Sequence, residues 1–270
     1  KLRSARDWES FVAQQRGGSH LQPGLEHLGH PAGTYLASVH KHGVPVQFDD
    51  EPWTLERKDE AAARGCHHSA RLHAEFIAQE MIEFAQDGHW VILPYHEVRS
   101  FPETRLSPAQ IKVERDRKPR FIADHSFWGL NEHTLPLAYK DSMQFGGALH
   151  HLLYSIRHAN LAFGPVRVMK LDLKDGFYRV HLRPRQALAL SVLLPEYEGL
   201  PQLVAVPLAL TMGWINSPPT FTSVSETICD LANHSLYKRH AAPHRLEGLA
   251  SIQRSEERRV GKECLRLCRS

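Results

Sequence analysis

The sequence predicts an α+β fold in which helices cover one face of an antiparallel β-sheet. Four short segments have the composition of strands, and they are Trp90–Pro94, residues 166–171, Tyr178–Leu182 and Leu203–Leu210. Tyr178–Leu182 alternates apolar and basic residues with a period of two, which is typical of a half-buried strand. Longer segments instead repeat apolar residues at helical spacing. The two patterns together predict helices and strands in separate stretches of one chain.

Three helices are predicted in chain order, after residues 1–30, whose lack of periodicity predicts a loosely ordered N-terminal segment. The first begins at Ser69 and ends at Gly88, with a serine able to cap its start. The second lies within residues 142–159 and is expected to pack in the core. The third begins at Ser217-Pro218, because a proline in the first turn of a helix lacks only an N–H that would be unpaired there.

The composition, 42% hydrophobic and 23% charged, is ordinary for a globular protein and excludes a wholly disordered chain. The longest apolar run, residues 187–194, is far shorter than the about 20 residues that cross a bilayer. No signal-peptide pattern is present, so we expect an intracellular protein without membrane contact. The four cysteines have no metal-site or disulfide spacing and predict free thiols.

Basic residues concentrate between Arg99 and Arg120, where seven lysines and arginines accompany three acids. A basic stripe of this kind can bind phosphate groups. A solvated loop is the alternative interpretation of a charge run taken by itself.

Asp172 follows an apolar segment, residues 166–171, that predicts a strand. A carboxylate at the end of a strand is rigidly held and open to solvent. Mg²⁺ takes oxygen ligands and is usually bound by one or two carboxylates together with substrate phosphates. Asp172 is therefore a candidate metal ligand. The alternative is that Asp172 and Asp175 are turn residues that hydrogen-bond their own backbone.

Two motifs lie about forty residues apart in the second half of the chain. The first contains Asp172, Asp175, Gly176, Phe177 and Tyr178. The second contains Gly213, Trp214, Ser217, Pro218 and Phe221. In this order they resemble motifs A and B in the palm of the reverse transcriptases of retroelements. The resemblance covers residues 29–250 and implies right-hand polymerase fingers and a partial palm, with template-directed DNA synthesis from dNTPs.

The resemblance also implies a role for each residue of the first motif. Asp172 would bind Mg²⁺, for which Mn²⁺ can substitute, and would act in a two-metal mechanism. The backbone of Lys174, Asp175 and Gly176 would hold the triphosphate. Phe177 would stand against the 2′-hydroxyl that distinguishes ribonucleotides from deoxyribonucleotides.

Further site residues follow from the fingers and from motif B of the family. Arg120 and Asp124 keep the family spacing of an arginine four residues before an aspartate, and the planar guanidinium suits a triphosphate. Asn131 corresponds to a family asparagine, but at a longer gap. Gly213 would allow the backbone to approach the template-primer and the incoming base pair. Met212 occupies a nucleotide-contacting position where several relatives have glutamine.

One family motif is missing, because no Asp-Asp pair follows residue 50. The family's aromatic-x-Asp-Asp hairpin supplies the other metal-binding carboxylates. We therefore expect a truncated polymerase that is inactive as an isolated chain and that belongs to a larger polyprotein with RNase H or integrase. Its predicted parts are a helical region and fingers at 31–160, a partial palm at 161–253 and a tail of non-native sequence at 254–270.

Two other functions remain open from the sequence. A catalytically dead nucleic-acid-binding module would bind an RNA or DNA template-primer through the basic fingers. An unrelated metal-dependent nuclease, or a structural protein, would require carboxylates near Asp172 that the sequence does not identify.

Overall fold

A computed structural model describes residues 7–16, 30, 32–137, 148–166 and 173–238. The chain divides into two compact units. The first consists of Lys1–Leu137 with Asp175–Thr220, and the second of Ala138–Lys174 with Phe221–Ser270. The predicted strand at 166–171, Asp172 and the tail at 254–270 lie largely or wholly outside the described residues.

Helices and strands both occur, so the α+β prediction is confirmed at this coarse level. The α-helices of the described residues are α1 (Trp8–Gln15), α2 (Gly33–His42), α3 (Leu55–Arg64), α4 (His68–Leu72), α5 (Ala74–Gln86), α6 (Tyr95–Val98), α7 (Leu130–His133), α8 (Ala148–Arg157), α9 (Pro184–Ala187) and α10 (Ser217–Lys238). The strands are β1 (Trp90–Pro94), β2 (Leu106–Lys112), β3 (Arg120–Ala123), β4 (Ser191–Leu193) and β5 (Leu203–Pro207).

The five strands form one sheet in the order β1-β5-β4-β2-β3. Three neighbouring pairs are antiparallel, with Ile92 opposite Ala205 in the β1–β5 pair. The β2–β4 pair is parallel, with Leu106 opposite Ser191. The sheet is therefore mixed, whereas the sequence predicted an antiparallel sheet for the palm. A long connection separates β2 from β4, and only such a connection allows two strands to run in the same direction.

Apolar residues of α5 and of the sheet form the core beside the candidate site. Ile77 and Met81 of α5 are fully buried and belong to one cluster with Trp90, Val192 and Ala205. Their spacing of four residues places the two α5 side chains on one helix face. This packing fixes the strands from which the site loops extend.

The first two predicted helices differ in detail from the structure. Ser69 does not begin the helix, because its hydroxyl accepts a hydrogen bond from the backbone N–H of Ile111 at 3.2 Å and so ties α4 to β2. His73 separates α4 from α5. In α8, Leu153 and Ile156 are exposed, so the prediction that they pack in the core is wrong.

The N-terminal segment and the predicted strand at 178–182 also differ. Within residues 1–30, Trp8–Gln15 forms a helix that begins at an Asp7 cap and buries Trp8, so this part is ordered. Phe177–Arg179 is a 3-10 turn. Val180 and Leu182 nevertheless alternate as buried positions, as predicted. Both residues hydrogen-bond to the chain that follows β5. The N–H of Leu182 donates to the carbonyl oxygen of Leu208, and the carbonyl oxygen of Val180 accepts from the N–H of Leu210.

No helix in the described part of the chain has the length and apolar character needed to cross a membrane.

Candidate functional site

The Gly213 turn lies directly against the end of β3. Gly213 has a φ of 101°, and a Cβ placed on it would lie 2.4 Å from the carbonyl oxygen of Ala123. Only glycine combines a positive φ with so close a backbone approach. Ala123 is three residues after Arg120 and immediately precedes Asp124. The structure therefore brings together the second motif and the Arg120–Asp124 segment that the sequence places about ninety residues earlier.

Asn131 joins the same two segments through its side-chain amide. Its Nδ2 donates to the carbonyl oxygen of Gly213 at 2.8 Å and to Oγ of Ser126 at 3.0 Å. Its Oδ1 accepts from the backbone N–H of Ile215 at 3.0 Å. Its own N–H donates to the carbonyl oxygen of His125. One side chain thus fixes the Gly213 turn on both sides.

His125 lies beneath this turn and is completely buried. Its Nδ1 is 2.8 Å from Oγ of Ser107 on β2, and its Nε2 is 3.2 Å from Oγ1 of Thr211. Burial lowers the pKa of this imidazole to about 4, so the ring is neutral near pH 7. A neutral ring between two hydroxyls links β2 to the chain that leads into Met212 and Gly213.

Asp124 is held from the opposite side by His67, which precedes α4. Nε2 of His67 lies 3.0 Å from Oδ2 of Asp124, and Nδ1 lies 3.4 Å from the guanidinium of Arg64. Because an arginine can only donate, Nδ1 accepts and Nε2 carries the proton that is donated to Asp124. The other Asp124 oxygen accepts from the backbone N–H of Ser126 at 3.3 Å. The carboxylate is therefore fixed in position.

Arg120 lies on an exposed hairpin among other cations. Its guanidinium donates to Oε2 of Glu114 at 2.6 Å. Arg117 and Lys112 also pair with Glu114, at 3.2 and 3.3 Å. Hydrogen bonds, first from Arg120 and then from Lys112, hold the pKa of the Glu114 carboxyl below its ordinary value. The guanidinium of Arg120, which was predicted to bind a triphosphate, thus already donates to a carboxylate.

The described part of the first motif, residues 174–178, forms a turn that passes from exposed to half-buried. Lys174 and Asp175 are exposed, and Asp175 has a φ of 55°, an uncommon conformation that aspartate tolerates better than most residues. Gly176 leads into the 3-10 turn that begins at the half-buried Phe177. Asp172 lies outside the described residues, so its metal-binding role stays a prediction.

Hydrogen bonding relates this turn to the Gly213 turn. The N–H of Leu210 donates to the carbonyl oxygen of Val180 at 2.9 Å. Val180 follows Phe177 by three residues, and Leu210 precedes Met212 by two. The side chain of Met212 is 53% exposed, so it is open to a ligand.

Sequence reasoning missed three residues that position the site, and they are His67, His125 and Glu114. His67 and His125 act through partners distant in sequence, and no local pattern marks them. Glu114 could have been noticed as an acid within the basic stripe.

A separate group of possible metal ligands lies in the first unit. Ligand atoms of Asp49, Asp50 and His133 lie within 4.8 Å of one another. Asp50 pairs with the buried guanidinium of Arg105 at 2.7 Å, and His133 is 3.0 Å from Asp49. These contacts already explain the group as one ion pair and one hydrogen bond, which tie the segment between α2 and α3 to Arg105 and to α7.

A cleft with a volume of about 440 Å³ is lined by Glu9, His42 and residues 183–186. It contains none of the predicted site residues, so it is distinct from the Gly213 turn.

No protein-family model matches the chain, and no curated protein is significantly similar to it.

Proposed function

We propose that this chain contains the fingers and part of the palm of a retroelement reverse transcriptase, which synthesises DNA from dNTPs on a template. The observation that carries the proposal is the contact of the Gly213 turn with Ala123 at the end of β3. A nucleotide pocket of this family needs its fingers arginine and its motif B glycine on neighbouring segments. The sequence motifs alone do not require that contact.

The described residues have distinct tasks in this proposal. Arg120 binds the triphosphate of the incoming nucleotide through its fork of donors, in exchange for Glu114. Asp124 and Asn131 hold the loop that receives Gly213. The missing side chain at Gly213 leaves the backbone accessible to the base pair, and Met212 packs on the base or sugar without donating a hydrogen bond.

The turn at Asp175 and Phe177 completes the pocket. Backbone N–H groups of this turn bind phosphate oxygens, and the ring of Phe177 excludes a 2′-hydroxyl by steric contact. Magnesium bound at Asp172 would activate the primer 3′-hydroxyl and neutralise charge on the leaving pyrophosphate. The carboxylate donor set of these 270 residues is incomplete without an Asp-Asp pair downstream of Asp172.

Retention of radiolabelled dTTP by the 270-residue chain tests the proposal. We expect dTTP to be retained with Mn²⁺ and an oligo(rA) template carrying an oligo(dT) primer, and to be lost when the template is oligo(rC) carrying an oligo(dG) primer. Arg120→Gln should weaken retention at least tenfold. Arg115→Gln removes an equal charge from a side chain that is 97% exposed and should leave retention unchanged. Retention that does not depend on the template, or equal effects of the two variants, would overturn the proposal.

Primer extension is a second measurement on the same complex. We expect no extended product, because one carboxylate cannot hold two metal ions. Robust synthesis that is lost in Asp172→Asn would show that the missing Asp-Asp pair is replaced by other residues.

A catalytically dead nucleic-acid-binding module is the second candidate. The observation that favours it is the exposure of the hairpin cations, since Arg115 and Arg117 are 97% and 69% exposed. Template-primer binding that falls steeply with salt, and that weakens when Arg115, Arg117 and Arg120 are all neutralised, would support this function if dTTP is not retained.

A further inference from the structure

A continuous ladder of aromatic rings and arginines runs along one edge of the first unit. Trp53 and Trp128 meet at nearly a right angle with centroids 6.4 Å apart. Trp128 and the adjacent Phe127 also meet edge to face, at 5.1 Å. Arginines lie over both ends of the ladder, Arg57 at 4.3 Å from the Trp53 centroid and Arg64 at 3.8 Å from the Phe127 centroid.

The ladder is anchored at one end and open at the other. Trp53 is 4% exposed, whereas Phe127 is 42% exposed although it is a large apolar side chain. Phe127 lies in a turn closed by hydrogen bonds from its own N–H to Asp124 and from Gly129 to Ser126. His67 meets its ring at 85° with centroids 5.1 Å apart. The exposed ring is therefore held rigidly by its neighbours.

The charge around Phe127 suits a polyanion. Arg57 uses one donor on the carbonyl oxygen of Trp128, and Arg64 uses one on the carbonyl oxygen of Gly65 and one on Nδ1 of His67, so each guanidinium keeps further N–H donors. Asp124, three residues before Phe127, already accepts from His67 and from Ser126. Helix α3 carries the exposed acids Glu56 and Glu60 and also Asp59, which is paired with Arg99. A guanidinium stacked on a ring leaves its N–H groups at the rim, where phosphate oxygens can accept from them.

We infer that Phe127 and Arg64 form a stacking site for an unpaired base of single-stranded nucleic acid. Aromatic rings beside arginines are the usual platform for single strands, because every base has a stacking face and every nucleotide a phosphate. The site follows Asp124 by three residues, so it lies next to the proposed nucleotide pocket. The inference rests on the proposed function, and it assigns this platform to the unpaired template strand.

Fluorescence anisotropy with three labelled ligands tests the inference on the 270-residue chain. The ligands are a blunt RNA–DNA duplex, the same duplex with a six-nucleotide 5′ RNA overhang, and the overhang strand alone. We expect Phe127→Ala to weaken binding of the two overhang ligands by about 5- to 150-fold, as the loss of one stacked base predicts. Binding of the blunt duplex should change less than twofold. Phe127→Trp should retain the affinity for the overhang.

Tyr154→Ala is the matched control, because Tyr154 is also an exposed aromatic, 59% accessible, and also contacts a histidine ring, that of His158. It should bind all three ligands as the unmodified chain does. Equal loss of blunt and overhang binding in Phe127→Ala, an equal loss in Tyr154→Ala, or no nucleic-acid binding at all would overturn the inference. The last result would favour a protein partner for the ladder. Near-ultraviolet circular dichroism of each variant checks that the fold is retained.

The two proposals fail in different ways. Overhang binding that depends on Phe127, without template-dependent retention of dTTP, would remove the polymerase assignment and leave the stacking site. Template-dependent retention that is normal in Phe127→Ala would leave the polymerase and remove the stacking site.

Discussion

The side-chain amide of Asn131 donates a 2.8 Å hydrogen bond to the carbonyl oxygen of Gly213, 82 residues further along the chain. The same amide accepts from the N–H of Ile215. A glycine turn has little structure of its own, because glycine loses the most conformational freedom on folding. The geometry of the Gly213 turn therefore depends on the Asn131 side chain, which hydrogen-bonds to the turn on both sides.

Asn131→Asp should destabilise the first unit by about 2 kcal/mol, since a carboxylate keeps the acceptor for Ile215 but replaces the donating Nδ2 with an oxygen that the Gly213 carbonyl oxygen repels. Chemical denaturation monitored by tryptophan fluorescence measures the change. Asn160→Asp is the control, because Asn160 uses its Oδ1 only to accept from the N–H of Ala162 at 2.9 Å, and an aspartate does the same. A loss of stability in Asn160→Asp as large as in Asn131→Asp would contradict this explanation.

Gly213→Ala should cost about 3 kcal/mol or more, because the added Cβ meets a backbone oxygen in a well-packed region. Gly199→Ala introduces alanine at a comparable positive φ of 74°, where a Cβ would meet nothing within 4 Å. That control should cost only the roughly 1 kcal/mol of the left-handed conformation. Urea unfolding of both variants gives the comparison, and similar midpoints would show that the Gly213 turn does not pack on Ala123.

The buried His125 should make stability depend on pH below neutrality. Its pKa of about 4 in the folded protein is below the ordinary 6.5, so the unfolded chain binds the proton more tightly. The stability that the neutral His125 contributes is therefore fully present above about pH 6.5 and is lost as the pH falls through about 4. The total loss attributable to this residue is about 3 kcal/mol.

Urea midpoints measured from pH 7.5 to pH 4.5 test this dependence. His125→Asn removes the titrating group and should flatten the profile, at some cost in stability at neutral pH. His96→Gln replaces a histidine whose side chain is 61% exposed and should leave the profile unchanged. An equally steep profile in His125→Asn would assign the dependence to other groups.

Glu114→Gln should raise the affinity for tripolyphosphate severalfold, because Arg120, Arg117 and Lys112 lose the carboxylate that they share. Isothermal titration calorimetry at low salt measures the affinity, and added salt should reduce the gain. Thermal stability should change little, since exposed ion pairs contribute little. Glu198→Gln, an exposed acid away from the hairpin, is the control. Unchanged affinity in Glu114→Gln would show that these cations do not form an anion site.

The start or end of a helix or strand was predicted correctly where residues close in sequence determine it. Trp90–Pro94 is an uninterrupted apolar run that ends at proline, and it forms β1 as predicted. Ser217-Pro218 begins α10 as predicted. Asp87 ends α5 ahead of Gly88, which has a φ of 73°. These signals act within a few residues, so they are readable without tertiary structure.

Contacts between distant segments could not be predicted in the same way. His125 contacts Ser107 and Thr211, which are 18 and 86 residues away, and three polar residues of ordinary type carry no pairing pattern. The family resemblance placed Arg120, Asp124 and Gly213 in one pocket, but it did not identify the side chains that bring them together. The prediction of a strand at Tyr178 is wrong. A 3-10 turn followed by a short extended segment also buries alternate residues, so the burial pattern does not distinguish it from a strand.

The pairing of β1 with β5 has a consequence for synthesis of the protein. Trp90 pairs with Pro207, so more than a hundred further residues must be synthesised after β1 before its partner strand β5 exists. A nascent chain that stops before Leu203 presents the apolar β1 and β4 with open backbone edges, which are templates for aggregation. Expression of shortened versions should therefore yield insoluble protein unless they extend past Pro207.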